Sequence, residues 1–149
     1  MKEQLLIWEP IVGNPFCRKN NEMNLVKLSF EKDFVLVFED NKSKEMYSFS
    51  YESSEDRKAF ITFRIVEELV RPDIEELIFE FFNKIENNSL NYGPTFYKVQ
   101  NSRFLKWYDD NYEIRKVIQP NAEHHLLITS TFIVEVISEV QPVVSKLKQ

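Results

Sequence analysis

Between residues 26 and 51, apolar side chains recur at every second position in three successive runs, separated only by short polar connections. Val26, Leu28 and Phe30 alternate with Lys27 and Ser29. After Glu31-Lys32-Asp33, Phe34, Leu36 and Phe38 alternate with Val35 and Val37, apolar on both faces as in a central strand. Asp40-Asn41-Lys42-Ser43-Lys44 reads as a polar turn, and Tyr47, Phe49 and Tyr51 then alternate with Ser48 and Ser50. A period of two is the period of a strand. Connections this short exclude the crossover that parallel neighbours need, so the strands form an antiparallel meander.

The stretch that follows can be read two ways. Ser53 and Asp56 carry a weak helix-start signal. Residues 59–66, Ala-Phe-Ile-Thr-Phe-Arg-Ile-Val, are rich in β-branched and aromatic side chains, with Ile61, Phe63 and Ile65 on one face. The second feature is the stronger, and it predicts a fourth strand.

A helix follows from Pro72. Asp73, Glu75 and Glu76 complement its N-terminal dipole. Ile74, Leu77, Ile78, Phe81, Phe82 and Ile85 form one apolar stripe. Gly93-Pro94 marks a turn, and residues 95–99 give a short strand. Asn101 or Ser102 can cap a second helix, on which Phe104, Leu105, Trp107, Tyr108 and Tyr112 gather on one side. Beyond a polar loop at Pro120 and Asn121, residues 124–129 and 132–138 read as strands, and Val143, Val144 and Leu147 as a last short element. The expected fold is α+β: a sheet of about four meander strands plus a C-terminal strand pair, with two helices packed on it. Residues 1–149 show no internal repeat or long linker and are read as a single domain.

Composition excludes several functions. The aromatic share is 14%, with 13 Phe, too much buried-type surface for a disordered chain. Net charge is -5 and both halves are mildly acidic, so the basic stripe that nucleic acid requires is absent. The two glycines, Gly13 and Gly93, lie far apart, which rules out a P-loop or a dinucleotide-binding turn. No apolar run approaches the length of a membrane span, and the N-terminus lacks the features of a signal peptide. A cytoplasmic protein with no cofactor is the expectation.

Candidate chemistry is sparse. His124 and His125 are the only histidines. On a strand they point to opposite faces and cannot share one metal ion, so one packed and one exposed ring is expected. No metal site is expected. Cys17, beside Arg18 and Lys19, is the only thiol and lacks an evident general base. The carboxylate pairs Glu67-Glu68, Glu75-Glu76 and Asp109-Asp110 read as solvated faces, because carboxylates that act together usually come from different elements. On the first helix, Phe79 falls about 120° from the apolar stripe, among Glu75, Glu76 and Glu86. An aromatic within a charged rim is the pattern of a contact patch for a basic protein partner. The alternative is a small-molecule or enzymatic pocket around Trp107 and His124 or His125, with Arg103 and Lys106 nearby.

Two stretches taken together carry a resemblance. They are Thr95-Phe96-Tyr97-Lys98-Val99-Gln100-Asn101-Ser102-Arg103-Phe104-Leu105-Lys106-Trp107, and His124-His125-Leu126-Leu127-Ile128-Thr129 running on into Val134-Glu135-Val136-Ile137-Ser138-Glu139-Val140-Gln141-Pro142. The arrangement resembles a group of small proteins from Bacillus-like bacteria. Comparably small α+β proteins serve as immunity partners in toxin loci. The resemblance implies a bacterial cytosolic binding protein, with no catalytic residue to carry across.

Overall fold

The computed structural model describes residues 2–11, 23–53, 61–67, 73, 76, 77, 96–130 and 132–147. Among them, nine strands form two antiparallel sheets. The strands are β1 (Gln4–Ile7), β2 (Met23–Phe30), β3 (Phe34–Asp40), β4 (Met46–Tyr51), β5 (Thr62–Glu67), β6 (Phe96–Gln100), β7 (Glu123–Ile128), β8 (Phe132–Ser138) and β9 (Val143–Leu147). Two helices, α1 (Arg103–Asn111) and α2 (Ile114–Ile118), lie between β6 and β7.

The expected single sheet is corrected to two. The meander β2-β3-β4 exists and takes β9 as its fourth strand, giving the order β2-β3-β4-β9. Strand β5 forms as expected but leaves the meander and pairs with β8, at the end of a five-stranded sheet ordered β1-β6-β7-β8-β5. The physical reason lies in the phenylalanines. Phe34, Leu36, Phe38, Phe49 and Tyr51 all face one way and need an apolar layer opposite them. Phe96, Leu127, Val134 and Val136 of the five-stranded sheet supply it. Phe38 meets Phe96 with ring centroids 6.5 Å apart, and Phe49 meets Phe96 at 5.2 Å. Two sheets packed face to face bury more aromatic surface than a single sheet under two helices.

The register contains one irregularity. Between Leu25 and Lys27 the β2–β3 pairing shifts, leaving Val26 in a bulge and exposed. Beyond it, Leu28 opposes Leu36 and Phe30 opposes Phe34. The inward set on β2 is therefore Met23, Leu25 and Leu28, with Phe30 partly exposed at the rim against Phe34 and Phe63, and Val26 is not part of it. The polar turn at 40–44 forms as expected: Asp40 accepts hydrogen bonds from the backbone N–H of Lys42 and the hydroxyl of Ser43, and Lys44 sits at φ 62.

The outer face of the five-stranded sheet is also apolar. Leu5, Tyr97, Leu126 and Ile133 pack there with Leu77. Leu77 belongs to the stripe expected on the first helix, and Asp73, Glu76 and Leu77 are helical. The rest of that helix lies outside the described residues. Helix α1 adds Phe104 to this layer. Its N-cap is Ser102, whose side chain accepts the N–H of Leu105 as the sequence suggested. Helix α2 was not anticipated: its five residues are too short to show a helical period.

Candidate functional site

Strand β7 is central, with β6 and β8 on either side. Its alternate side chains face the two buried layers: His125 and Leu127 toward the four-stranded sheet, His124 and Leu126 toward α1. The opposite orientation of the two histidines is as expected. The expectation that one is exposed is corrected, since His124 is 2% and His125 0% exposed. A central strand covered on both faces buries both rings.

His125 joins the sheets. The Tyr51 hydroxyl lies 2.8 Å from its Nδ1, Trp8 stacks on it with centroids 4.3 Å apart, and Glu123 lies 3.4 Å from its Nε2. A Tyr51 hydroxyl donating to Nδ1 leaves Nε2–H to donate to Glu123. Burial keeps the tyrosine proton in place by raising its pKa far above the ordinary phenol range. Glu123 also pairs with Lys98 at 3.1 Å and accepts from Gln141.

His124 belongs to a second chain of polar groups on the other face. Its Nδ1 lies 2.6 Å from the Ser102 hydroxyl, and its Nε2 lies 3.0 Å from Oε1 of Glu135. The other Glu135 oxygen accepts from Nε of Arg64. The guanidinium carbon of Arg64 sits 3.9 Å over the Phe104 ring, a cation–π contact. The register explains this assembly. Arg64 directly opposes Glu135 across β5 and β8, and Glu135 opposes Leu126, two residues along from His124. Three strands and a helix start thus converge on Glu135, whose side chain has no exposed surface.

Ser102 and His124 line the floor of an open groove of about 660 Å³, walled also by Lys98, Lys106 and Lys116 and by Asp109, Asp110 and Glu123. Of the alternative site residues, only His124 lines this groove. His125 lies on the opposite face of the sheet, and Trp107 stands half-exposed beside Phe104, with ring centroids 6.1 Å apart. The pocket expected around Trp107 and His124 or His125 thus has His124 on the groove, with Trp107 beyond Phe104 and His125 behind the sheet. Arg103 and Lys106 are exposed. In the acidic patch of the first helix Glu76 is exposed, while Phe79, Glu75 and Glu86 lie outside the described residues, as does Cys17. No group of three or more His, Cys, Asp or Glu among the described residues could hold a metal ion.

Sequence reasoning missed Ser102 as a partner of histidine, and missed Glu135 and Arg64 altogether. A signal was present. Glu135 is the lone charge in Phe132-Ile133-Val134-Glu135-Val136-Ile137, and Arg64 stands among Phe63, Ile65 and Val66. A single charge inside an apolar strand requires a partner of opposite sign.

Both buried networks make stability pH-dependent. Burial, the largest influence on Glu135, pushes its pKa up, but His124 and Arg64 together outweigh it and bring it down to about 2. The hydrogen bond from His125, helped by Lys98 and Gln141, likewise brings Glu123 to about 2. Both carboxylates stabilise the fold above their unfolded value of 4.5, and that contribution is lost as pH falls toward 2. For Glu135 the full loss is on the order of 3 kcal/mol. His125 acts in the same direction from a higher pH. Burial lowers its pKa, so below the unfolded value of 6.5 the unfolded chain takes up a proton before the folded one does. The urea midpoint is expected to hold steady above about pH 7 and to fall continuously to about pH 3. A midpoint equal at those two pH values contradicts this assignment.

The fold and site define a two-sheet antiparallel α+β protein with helices on one outer face and, beneath them, a chain of buried Ser102, His124 and Glu135 closed by a half-buried Arg64. Compared with family models, curated proteins and solved structures, the chain has no match. Among the described residues no helix is long and apolar enough to cross a membrane.

Proposed function

We propose that the chain is a protein-binding module, an immunity-type inhibitor of a basic toxin, and that it docks through the outer surface of α1 and α2. The observation that supports this reading is the exposure of four large apolar side chains on that surface: Trp107 at 51%, Tyr112 at 53%, Ile114 at 64% and Val117 at 81%. Trp107 and Tyr112 meet edge to face at 6.2 Å. Ile114 and Val117, three residues apart on α2, follow directly after Tyr112. None of them is needed to fill the core, and such clusters on a protein surface mark interaction sites. Tryptophan and tyrosine are the residues on which binding energy concentrates. Exposed Arg103, Lys106, Asp110, Glu113 and Lys116 supply a charged rim. The net charge of -5 favours a basic partner through long-range attraction.

The test is recovery of partner on the tagged chain, expressed in the cells that produce it. Trp107→Ala combined with Val117→Asp is expected to weaken retention of a basic partner by roughly 30-fold or more, with an unchanged circular-dichroism spectrum. Equal recovery by wild type and variant removes this face from consideration.

A further inference from the structure

The path of the chain around Ser102 is not that of an ordinary helix start. Strand β6 ends, Asn101 turns sharply at φ 57, and Ser102 follows at the head of α1. Strand, tight turn and helix set the hydroxyl on the floor of the groove. Capping Leu105 explains an oxygen at this position, and Asp or Asn would serve as well. It does not explain an imidazole 2.6 Å behind the hydroxyl, a buried carboxylate 3.0 Å behind the imidazole, and an arginine behind that.

We propose that Ser102 is a nucleophile with His124 as its general base, acting on carboxylic esters of small anionic acids held in the groove. Glu135 and Arg64 are positioning residues: Glu135 orients the ring through Nε2–H, and Arg64 holds Glu135. The serine sits on Nδ1 and the carboxylate on Nε2, and either ring nitrogen accepts a proton when the other carries one. The acid preference comes from Lys116. The groove's carboxylates are each taken, Glu123 by Lys98, Asp110 by Lys106 and Asp109 by Arg115, whereas Lys116 makes no ion pair among the described residues.

Ser102 passes its proton to Nδ1 of His124 as its oxygen attacks the ester carbonyl carbon, and the carbonyl electron pair moves onto oxygen. When that pair returns, the alkoxide leaves and takes the proton from His124, giving an acyl-serine and an alcohol. Water then attacks the acyl-serine, again passing a proton to His124. The proton returns to Ser102 as the acid departs. The backbone N–H of Arg103, the residue after the nucleophile, is the natural donor to the developing oxyanion. Here it donates to Oε2 of the buried Glu3 at 2.8 Å, so Glu3 has to release it before it can serve the oxyanion.

This inference goes beyond the binding reading and stands without it, because its test involves no partner protein. The folded chain is treated with a fluorophosphonate probe, followed by intact-mass and peptide analysis. Single labelling at Ser102 is expected. Ser102→Asn keeps the helix cap and the circular-dichroism spectrum but takes no label. His124→Gln labels roughly 100-fold more slowly. Glu3→Ala, with the Arg103 N–H released, labels about tenfold faster. Glu135→Gln moves the pH profile of labelling, which a purely structural carboxylate leaves in place. Above the spontaneous rate, the 4-nitrophenyl monoester of adipic acid is hydrolysed faster than 4-nitrophenyl hexanoate. A folded wild-type chain that takes no label, or a Ser102→Asn variant labelled at the wild-type rate, overturns the proposal. Equal rates on the two esters overturn its substrate class.

Discussion

Glu135→Ala is expected to destabilise the protein by about 3–5 kcal/mol, read as a lower urea midpoint at unchanged slope. The substitution does more than remove a hydrogen bond. It leaves the Arg64 guanidinium half-buried over Phe104 without its carboxylate, and leaves Nε2 of His124 facing an apolar gap. A charge left without a partner in a low-dielectric layer costs more than the pair contributed. The companion experiment separates these quantities. Arg64→Met with Glu135→Leu removes both charges at directly opposed positions on β5 and β8 and fills the space with apolar volume. That double variant is expected to recover most of the loss. If it is as unstable as Glu135→Ala, the damage comes from packing and the account of an orphaned charge is wrong.

Phe96→Ala is expected to be comparably severe, at about 3–5 kcal/mol. Phe96 is fully buried where the two sheets meet. It touches Phe49 and Phe38 of the opposite sheet and meets Trp8 edge to face at 6.2 Å. Its removal opens a cavity lined by rings whose own positions depend on backbone in two different sheets, so the site relaxes poorly. Phe96→Leu, which keeps most of the volume, is expected to cost about 1.5 kcal/mol or less. Equal midpoints for the leucine and alanine variants indicate that the sheets do not meet at this residue.

These two residues differ in how legible they are in the sequence. Phe96 belongs to a short alternating run, and burial of an aromatic in such a run follows from local pattern alone. Strand β8 emerges at 132–138 for the same reason, and Ser102 announces the start of α1 through its capping chemistry. The partner of Glu135, by contrast, stands 71 positions away at Arg64. No local period encodes which strand lies beside which. The misreading of Val26 has a similar origin, since a bulge appears only once the pairing with β3 is known.

Alternation of side chains on a pleated backbone needs only neighbours in the chain, so the sequence alone determined strands β2 to β8, the three-strand meander β2-β3-β4 and the opposed directions of His124 and His125, but not β1. Which sheet each strand joins depends on how the apolar faces from distant segments close on one another. That closure, available only in three dimensions, moved β5 away from the meander and covered β7 on both faces. It also brought Arg64, Glu135, His124 and Ser102 within reach of one another, because the exclusion of water from the space between layers makes a charge seek a partner wherever the fold provides one.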